Sequence, residues 1–483
     1  MIITALILSL SLLIGGPVGA AAPAASGQTV QRLNRAPINT ELLKVQLPRP
    51  KEEKLDNGLT VLFLPHRKVP TMHATLWVKA GALWEPKDHP GLAQFTAEML
   101  KEGTASRTSS QLATEIEEMG ASLETGAAFG KSIAQASASG MAEDADKILG
   151  LLADVTLKPS FPQDELDKYK KRRESALQEQ RSQARFLGLE ALYRALYGDF
   201  PAAVAAPTSE SIQRTTPAAL RQFHQQRWAP ESSILGIAGD LTPEQAMALA
   251  RKHFGSWKRS DGAAAALPPL AAPKPASVII IDRPGSVQTD LFAGGLALRR
   301  DDPDYIPLVV ANRILGGEAS ARLFMNLREE KGYAYGAYSN FDAELYPGLS
   351  RAWAAVRSEV TEPALRDMLA EIRRLGEETV PAAELEEAKR SLVASFAFSL
   401  EQPSTLVNYW LTTRYYGLPA DYWDRYPENV AAVDAAKVRA MAQRYWNRET
   451  IQLVAVGDAE KIKKAVSGFG TVQVLDIEGR PKP

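Results

Sequence analysis

Arg328 and Tyr335 lie seven residues apart in the run Ser-Ala-Arg-Leu-Phe-Met-Asn-Leu-Arg-Glu-Glu-Lys-Gly-Tyr-Ala-Tyr, residues 320–335. A guanidinium only donates hydrogen bonds and a phenol chiefly donates. Together they suit negative charge developing on a carbonyl oxygen. The pattern places Arg328 in the last turn of a helix that Gly332 can end, and Tyr335 on the strand that follows. Taken alone, the plainer expectation is structural, with Arg328 paired to a nearby carboxylate and Tyr335 packed on the strand face beside Tyr333. Metal chemistry has little to work with. The five histidines, His66, His73, His89, His224 and His253, are scattered, and no pair has the one-turn spacing of a helix-borne site. Residues 91–104, Gly-Leu-Ala-Gln-Phe-Thr-Ala-Glu-Met-Leu-Lys-Glu-Gly-Thr, read as an amphipathic helix with Leu92, Phe95, Met99 and Leu100 toward a core. Cysteine is absent, which excludes disulfides, thiol catalysis and lipid attachment through an N-terminal Cys.

The same helix is similar to the zinc-binding helix of the pitrilysin/insulinase family, the inverzincin metallopeptidases. Their signature H-x-x-E-H usually sits in a run such as G-L-A-H-F-L-E-H-M-L-F-K-G-T. Gly91, Leu92, Ala93, Phe95, Met99, Leu100, Gly103 and Thr104 match, while Gln94, Ala97 and Glu98 replace His, Glu and His. Catalytic zinc takes three protein ligands plus an open water position, and a carboxylate must accept that water's proton. The resemblance therefore implies a helix kept and a chemistry removed, with no metal or other cofactor in this chain. The family's third ligand is a Glu further along. Glu174 and Glu179 are the candidates, and the family run R-E-x-V-L-x-E favours Glu179. On a helix carrying Lys168, Lys170, Lys171, Arg172 and Arg173, either reads most simply as a surface carboxylate pairing with its neighbours.

Residues 320–335 resemble the family run S-R-L-F-x-x-L-R-E-x-x-G-x-x-Y. There an Arg and a Tyr reach across the chamber, hold the carbonyls of the bound peptide and help stabilise the tetrahedral intermediate. The resemblance carries that role to Arg328 and Tyr335. In two-subunit members one chain bears H-x-x-E-H and the other supplies the Arg/Tyr pair. The implied function is the non-catalytic substrate-binding subunit of a heterodimeric zinc metallopeptidase that degrades or processes peptides in the periplasm. Its partners would be an H-x-x-E-H homologue holding the zinc, and a peptide. One alternative is a catalytically inert peptide-binding or structural assembly subunit. Another is an autonomous peptidase with an unorthodox metal site drawn from Glu98, Glu174 or Glu179.

The elements that must position these residues come from two similar halves. The 483-residue chain is long enough for two or more domains, and its 45% hydrophobic content supports sizeable cores. A net charge of −1 gives no reason to expect nucleic acid or an anionic membrane surface as partner. Residues 1–22 read as a signal peptide, without a basic n-region but with an apolar run ending in small residues, so a periplasmic or secreted location is expected. No other run is long enough to span a bilayer. An extended lead-in covers 23–50, and an Ala/Pro-rich linker at 259–277 separates an N-terminal domain, 51–258, from a C-terminal one, 278–476, followed by a tail at 477–483. Trp228 and Asp240 recur as Trp446 and Asp458. Pro162-Gln-Asp-Glu-Leu recurs at 381–385, and Leu100–Arg107 at Leu315–Arg322. Ordered matches at a nearly constant offset point to duplication. The expected fold is α+β. Each half has strands at 59–64 and 74–79 or their counterparts, a hairpin over 123–139, and helices from Thr108 or Ser109, over 143–157, 163–190 and 216–227. By resemblance the two homologous α/β halves, LuxS/mitochondrial-processing-peptidase-like, face each other as a clam-shell chamber. The resemblance spans residues 50–475.

Overall fold

The computed structural model describes residues 41–260 and 266–482. The signal segment expected at 1–22, most of the lead-in and residues 261–265 of the linker lie outside the described residues.

The strands of the first half are β1 (Lys51–Lys54), β2 (Thr60–Pro65), β3 (Thr71–Val78), β4 (Ser122–Ala127), β5 (Ala134–Met141) and β6 (Ser233–Gly239). Those of the second are β7 (Ser277–Asp282), β8 (Gln288–Leu296), β9 (Ala334–Phe341), β10 (Leu349–Arg357), β11 (Gln452–Gly457) and β12 (Val472–Leu475). They form two six-stranded sheets, ordered β1-β2-β6-β3-β5-β4 and β12-β7-β11-β8-β10-β9. In both, a parallel pair (β2 with β6, β7 with β11) adjoins an antiparallel run ending in a hairpin, and in the second sheet β12 also runs parallel to β7. The parallel strands are near-continuous apolar runs such as Val278–Ile281, as expected for strands covered on both faces.

The first half's helices are α1 (Leu92–Met99), α2 (Ser109–Glu118), α3 (Ala145–Leu157), α4 (Gln163–Ser182), α5 (Ala184–Tyr197), α6 (Ser209–Arg214), α7 (Pro217–Arg227) and α8 (Pro243–Phe254). In the second half come α9 (Tyr305–Gly316) and α10 (Arg322–Phe324), which runs into a π-helical turn at Met325–Glu330. They are followed by α11 (Thr361–Glu377), α12 (Ala382–Ser399), α13 (Pro403–Tyr416), α14 (Tyr426–Ala431), α15 (Ala435–Tyr445) and α16 (Ala459–Val466). Local signals place several of them. Thr108 caps α2 in a reciprocal box with Gln111. Thr216 and Asp434 cap the matched helices α7 and α15.

One expectation fails. The single helix read over 163–190 is broken at Gln183, whose backbone is extended (φ −92°, ψ 118°), and resumes as α5. The reason is tertiary. α5 leaves its own half and packs on β8 and β11 of the second sheet, burying Leu187 and Leu192 there. Its counterpart α13 packs on β6 and β2 of the first sheet. The exchange is close-fitting. Gly188 of α5 lies against Phe292, so close that an added Cβ would stand 2.1 Å from the ring, and Gly236 of β6 lies against Val407 of α13, with a Cβ at 2.5 Å. The end of the lead-in also docks on the second half: Leu47 is buried in that core and its N–H donates to Asp424, while the Trp410 indole donates to the Pro48 carbonyl. Among the described residues no helix is long and apolar enough to cross a membrane.

Candidate functional site

Helix α1 is seated by its start and its inner face. The Glu85 carboxylate accepts from the backbone N–H of Gly91 at 2.9 Å and of Ala93 at 2.6 Å, so an acidic group meets the positive end of the helix. Burial pushes this carboxyl up to about 8, against the pull of the Gly91, Ala93 and Gln94 N–H groups. Leu92, Phe95 and Met99 enter the core, and the Phe95 ring meets Tyr169 of α4 edge-on at 4.9 Å. Ala97 is completely buried as well. The position that would carry the catalytic base therefore faces packing atoms. Gln94 Oε1 is buried without a hydrogen-bond partner among the described residues.

Glu98 alone of the three motif positions lines a cavity. It shares this cavity, of about 540 Å³, with Trp77, Glu124 and Lys131 of the first half and Glu344 and Tyr416 of the second. Burial raises its carboxyl above the ordinary range, while Lys101 and Arg173 pull it down. One wall of the cavity is β4, the last strand of its sheet, which among the described residues pairs only with β5 and leaves its outer edge free. Gly126 on that strand lies beside Glu98, whose Oε1 would stand in ordinary contact, 3.6 Å, from an added Cβ. A larger cavity, about 740 Å³, lies behind α2, α3 and α8. Most of its charged groups are matched in pairs such as Arg107–Asp154, Lys147–Asp144 and Lys252–Asp146, and it offers no comparable free edge.

The residues at the motif do not fit zinc. Glu98 is the only ionisable ligand of the three, Ala97 is sealed in the core, and among the described residues no group of three His, Cys, Asp or Glu side chains is placed to hold a metal. Glu174, half-buried on α4, accepts a hydrogen bond from the Gln213 side chain, and Glu179 is exposed on the same helix. Neither joins Glu98 around the cavity.

Arg328 sits in the π-helical turn, 3.7 Å from Glu329 and with its guanidinium 4.7 Å from the centre of the Phe324 ring. Gly332, at φ +61°, follows that turn, and its carbonyl accepts from Arg357 at 3.1 Å. Tyr335 does not pack on the strand face: it is 85% exposed on β9, the edge strand of the second sheet, with Tyr338 also open at 40%. Neither Arg328 nor Tyr335 lines the cavity beside Glu98. The structure thus brings Glu98 together with Glu344, Lys131 and Tyr416, which the sequence did not single out. The contact of Glu344 with Ser132 spans 212 positions, and no spacing signal marks it.

Residues 61–207 match the family described as Insulinase (Peptidase family M16), and residues 214–392 match the family described as Peptidase M16 inactive domain. The chain belongs to peptidase family M16. Among curated relatives, an uncharacterized zinc protease of Mycobacterium leprae is 28% identical over 361 residues, 73% of this chain and 79% of that protein. The uncharacterized zinc protease YmxG of Bacillus subtilis is 23% identical over 74% of this chain and 85% of its own length. Among solved structures, a peptidase M16 inactive domain from Pseudomonas fluorescens superposes with a TM-score of 0.80 at 28% identity, covering 85% of this chain and 98% of that one. A protease from Helicobacter pylori shares the fold at 19% identity, with a TM-score of 0.78 over 85% of this chain and all of that one. This M16 chain thus has the family's two-domain α+β architecture, with a motif helix that cannot run the family's metal chemistry.

Proposed function

We propose that this M16 chain is the non-catalytic, substrate-holding subunit of a two-chain zinc peptidase that degrades or processes peptides in the periplasm. The partner is a homologous chain with an intact H-x-x-E-H helix, and the zinc belongs to it. The observation that carries the reading is helix α1. It keeps its cap, its core contacts and its place beside a free strand edge, yet has Gln94, Ala97 and Glu98 where ligands and base would be. A peptide can add to the free edge of β4 by main-chain hydrogen bonding, which gives affinity with little demand on side chains. Arg328 and Tyr335 support the two-chain reading through their exposure. Donors left open to solvent are free to act on a carbonyl in the partner's site.

The test is cleavage of a quenched fluorescent peptide by this chain, by its H-x-x-E-H homologue, and by the two mixed. The expected result is activity mainly in the mixture. Chelator-sensitive activity of this chain alone would overturn the proposal.

A second reading, an assembly subunit without peptidase function, is favoured by one observation. The chain is 27% identical over 210 residues, 43% of each protein, to cytochrome b-c1 complex subunit 1 of Bos taurus. An unchanged rate of the mixture after Arg328→Ala and Tyr335→Phe would select this reading.

A further inference from the structure

The turn between β4 and β5, residues 128–133, is held mainly from the other half of the molecule. Lys131 Nζ lies 2.9 Å from Glu344 Oε1. Ser132 Oγ donates to Glu344 Oε2 at 3.2 Å, and the Tyr416 hydroxyl donates to the same oxygen at 3.1 Å. The Tyr415 hydroxyl donates to Ser132 Oγ at 2.8 Å, and the Tyr346 hydroxyl to the Gly130 carbonyl at 2.7 Å. Glu344 is 5% exposed and Ser132 is fully buried, so a partner lost from either leaves a buried polar group unsatisfied, while the Lys131 side chain stays partly open to the cavity. Burial opposes the charge of Lys131, but Glu344 holds its ammonium above the usual range; burial keeps the Tyr415 and Tyr416 hydroxyls protonated as donors.

The turn passes this support on in two directions. Toward β4, it is the end of the strand whose outer edge is free. Toward the motif helix, the Trp84 indole and the Gly81 N–H both donate to the Ser132 carbonyl, at 2.8 and 3.1 Å, and Leu83 N–H donates to the Lys131 carbonyl at 3.2 Å. The next residue, Glu85, caps α1. The strand that walls the cavity and the cap of the helix that carries Glu98 are thereby both tied to one carboxylate of the second half.

We infer that Glu344 is a positioning residue: through the 128–133 turn, the second half holds the free edge of β4 and the start of α1 in the arrangement that takes a peptide strand. The inference rests on the peptide-holding reading above and names the residue by which the so-called inactive half acts on that site.

The experiment compares wild type, Glu344→Ala, Glu344→Gln and Tyr346→Phe in the full chain. One readout is amide hydrogen exchange. The other is the anisotropy of fluorescein-labelled oxidised insulin B chain. Glu344→Ala is expected to speed exchange in 122–133 and 82–93 by about tenfold or more while leaving α11 and α15 unchanged, and to weaken peptide binding by about fivefold or more. Tyr346→Phe, which removes one hydroxyl only, should move both readouts the same way by less, and it carries the test if the alanine variant fails to fold. Glu344→Gln, which keeps one acceptor, should fall between them. Unchanged exchange overturns the inference, and so does faster exchange with unchanged affinity. Failure of the wild type to bind the peptide overturns the peptide-holding reading instead, and the exchange measurement still decides whether Glu344 positions the turn.

Discussion

The two halves share five strands in the same order and differ at the sixth. In the first half the outer strand, β1, comes from the chain before the domain and runs antiparallel to β2. In the second it is β12, from the end of the chain, parallel to β7. The helices show the same division between shared frame and private detail. α7 and α15 match residue for residue in length and cap, yet the first carries His224 where the second carries Ala442. The exchanged helices match too, but α5 is seated by a glycine on each side, its own Gly188 against Phe292 and Gly294 of β8 against Leu192, whereas α13 is seated by Gly236 of β6. Duplication supplied the frame. The first half carries the motif helix beside the edge strand β4, and the second carries Arg328 in a π-helical turn and Tyr335 on the edge strand β9.

The contrast is broken most severely by restoring what the first half has lost. Ala97→Glu puts a carboxylate on a fully buried face and is expected to cost at least about 4 kcal/mol in urea unfolding. A stable, zinc-loaded Gln94→His/Ala97→Glu/Glu98→His protein would show that the helix is still poised for metal.

The next effect belongs to His224. Its ring lies 2.8 Å from the Thr156 carbonyl and is stacked on Trp228, and burial lowers its pKa to about 4. The unfolded chain, near 6.5, binds more protons between those values. Stability is therefore intact above pH 6.5 and lost as pH falls toward 4, by about 3 kcal/mol in all. His224→Gln should flatten that part of the stability profile, measured as the urea midpoint against pH.

Gly188→Ala comes third. Overpacking against Phe292, less the gain in helix propensity, should cost about 2 kcal/mol. Gly236→Ala should cost less, because its Cβ would stand 2.5 Å from one methyl rather than 2.1 Å from a ring, and equal costs would mean that the two exchanges are equally tight.

The smallest effects are expected at Arg328→Ala and Tyr335→Phe. Both side chains are exposed and should change stability by less than about 0.5 kcal/mol, while the rate of the mixed peptidase falls. A large loss of stability in either variant would return these residues to a structural role.

Much of this was legible in the sequence because it is written locally. Thr108 with Gln111 marks a helix start, Val278–Ile281 a buried strand, and the three substituted positions in residues 91–104 the lost metal site. What was not legible depends on distant partners. Nothing at Gln183-Ala184 warns of a break, although the matched Gln402-Pro403 does, because the cause is the apolar face that the second sheet offers to α5. Tyr335 reads as a packed strand residue by type and is open because β9 is an edge, which only the sheet order reveals. Glu344 carries no mark at all, since its meaning lies in Lys131, Ser132 and Tyr416.

Through the reciprocal seating of α5 and α13, each half supplies a helix that covers the other's sheet. Cutting the backbone in the 259–277 linker should leave a nicked particle that travels as one species, its two pieces clasped by the helices they traded.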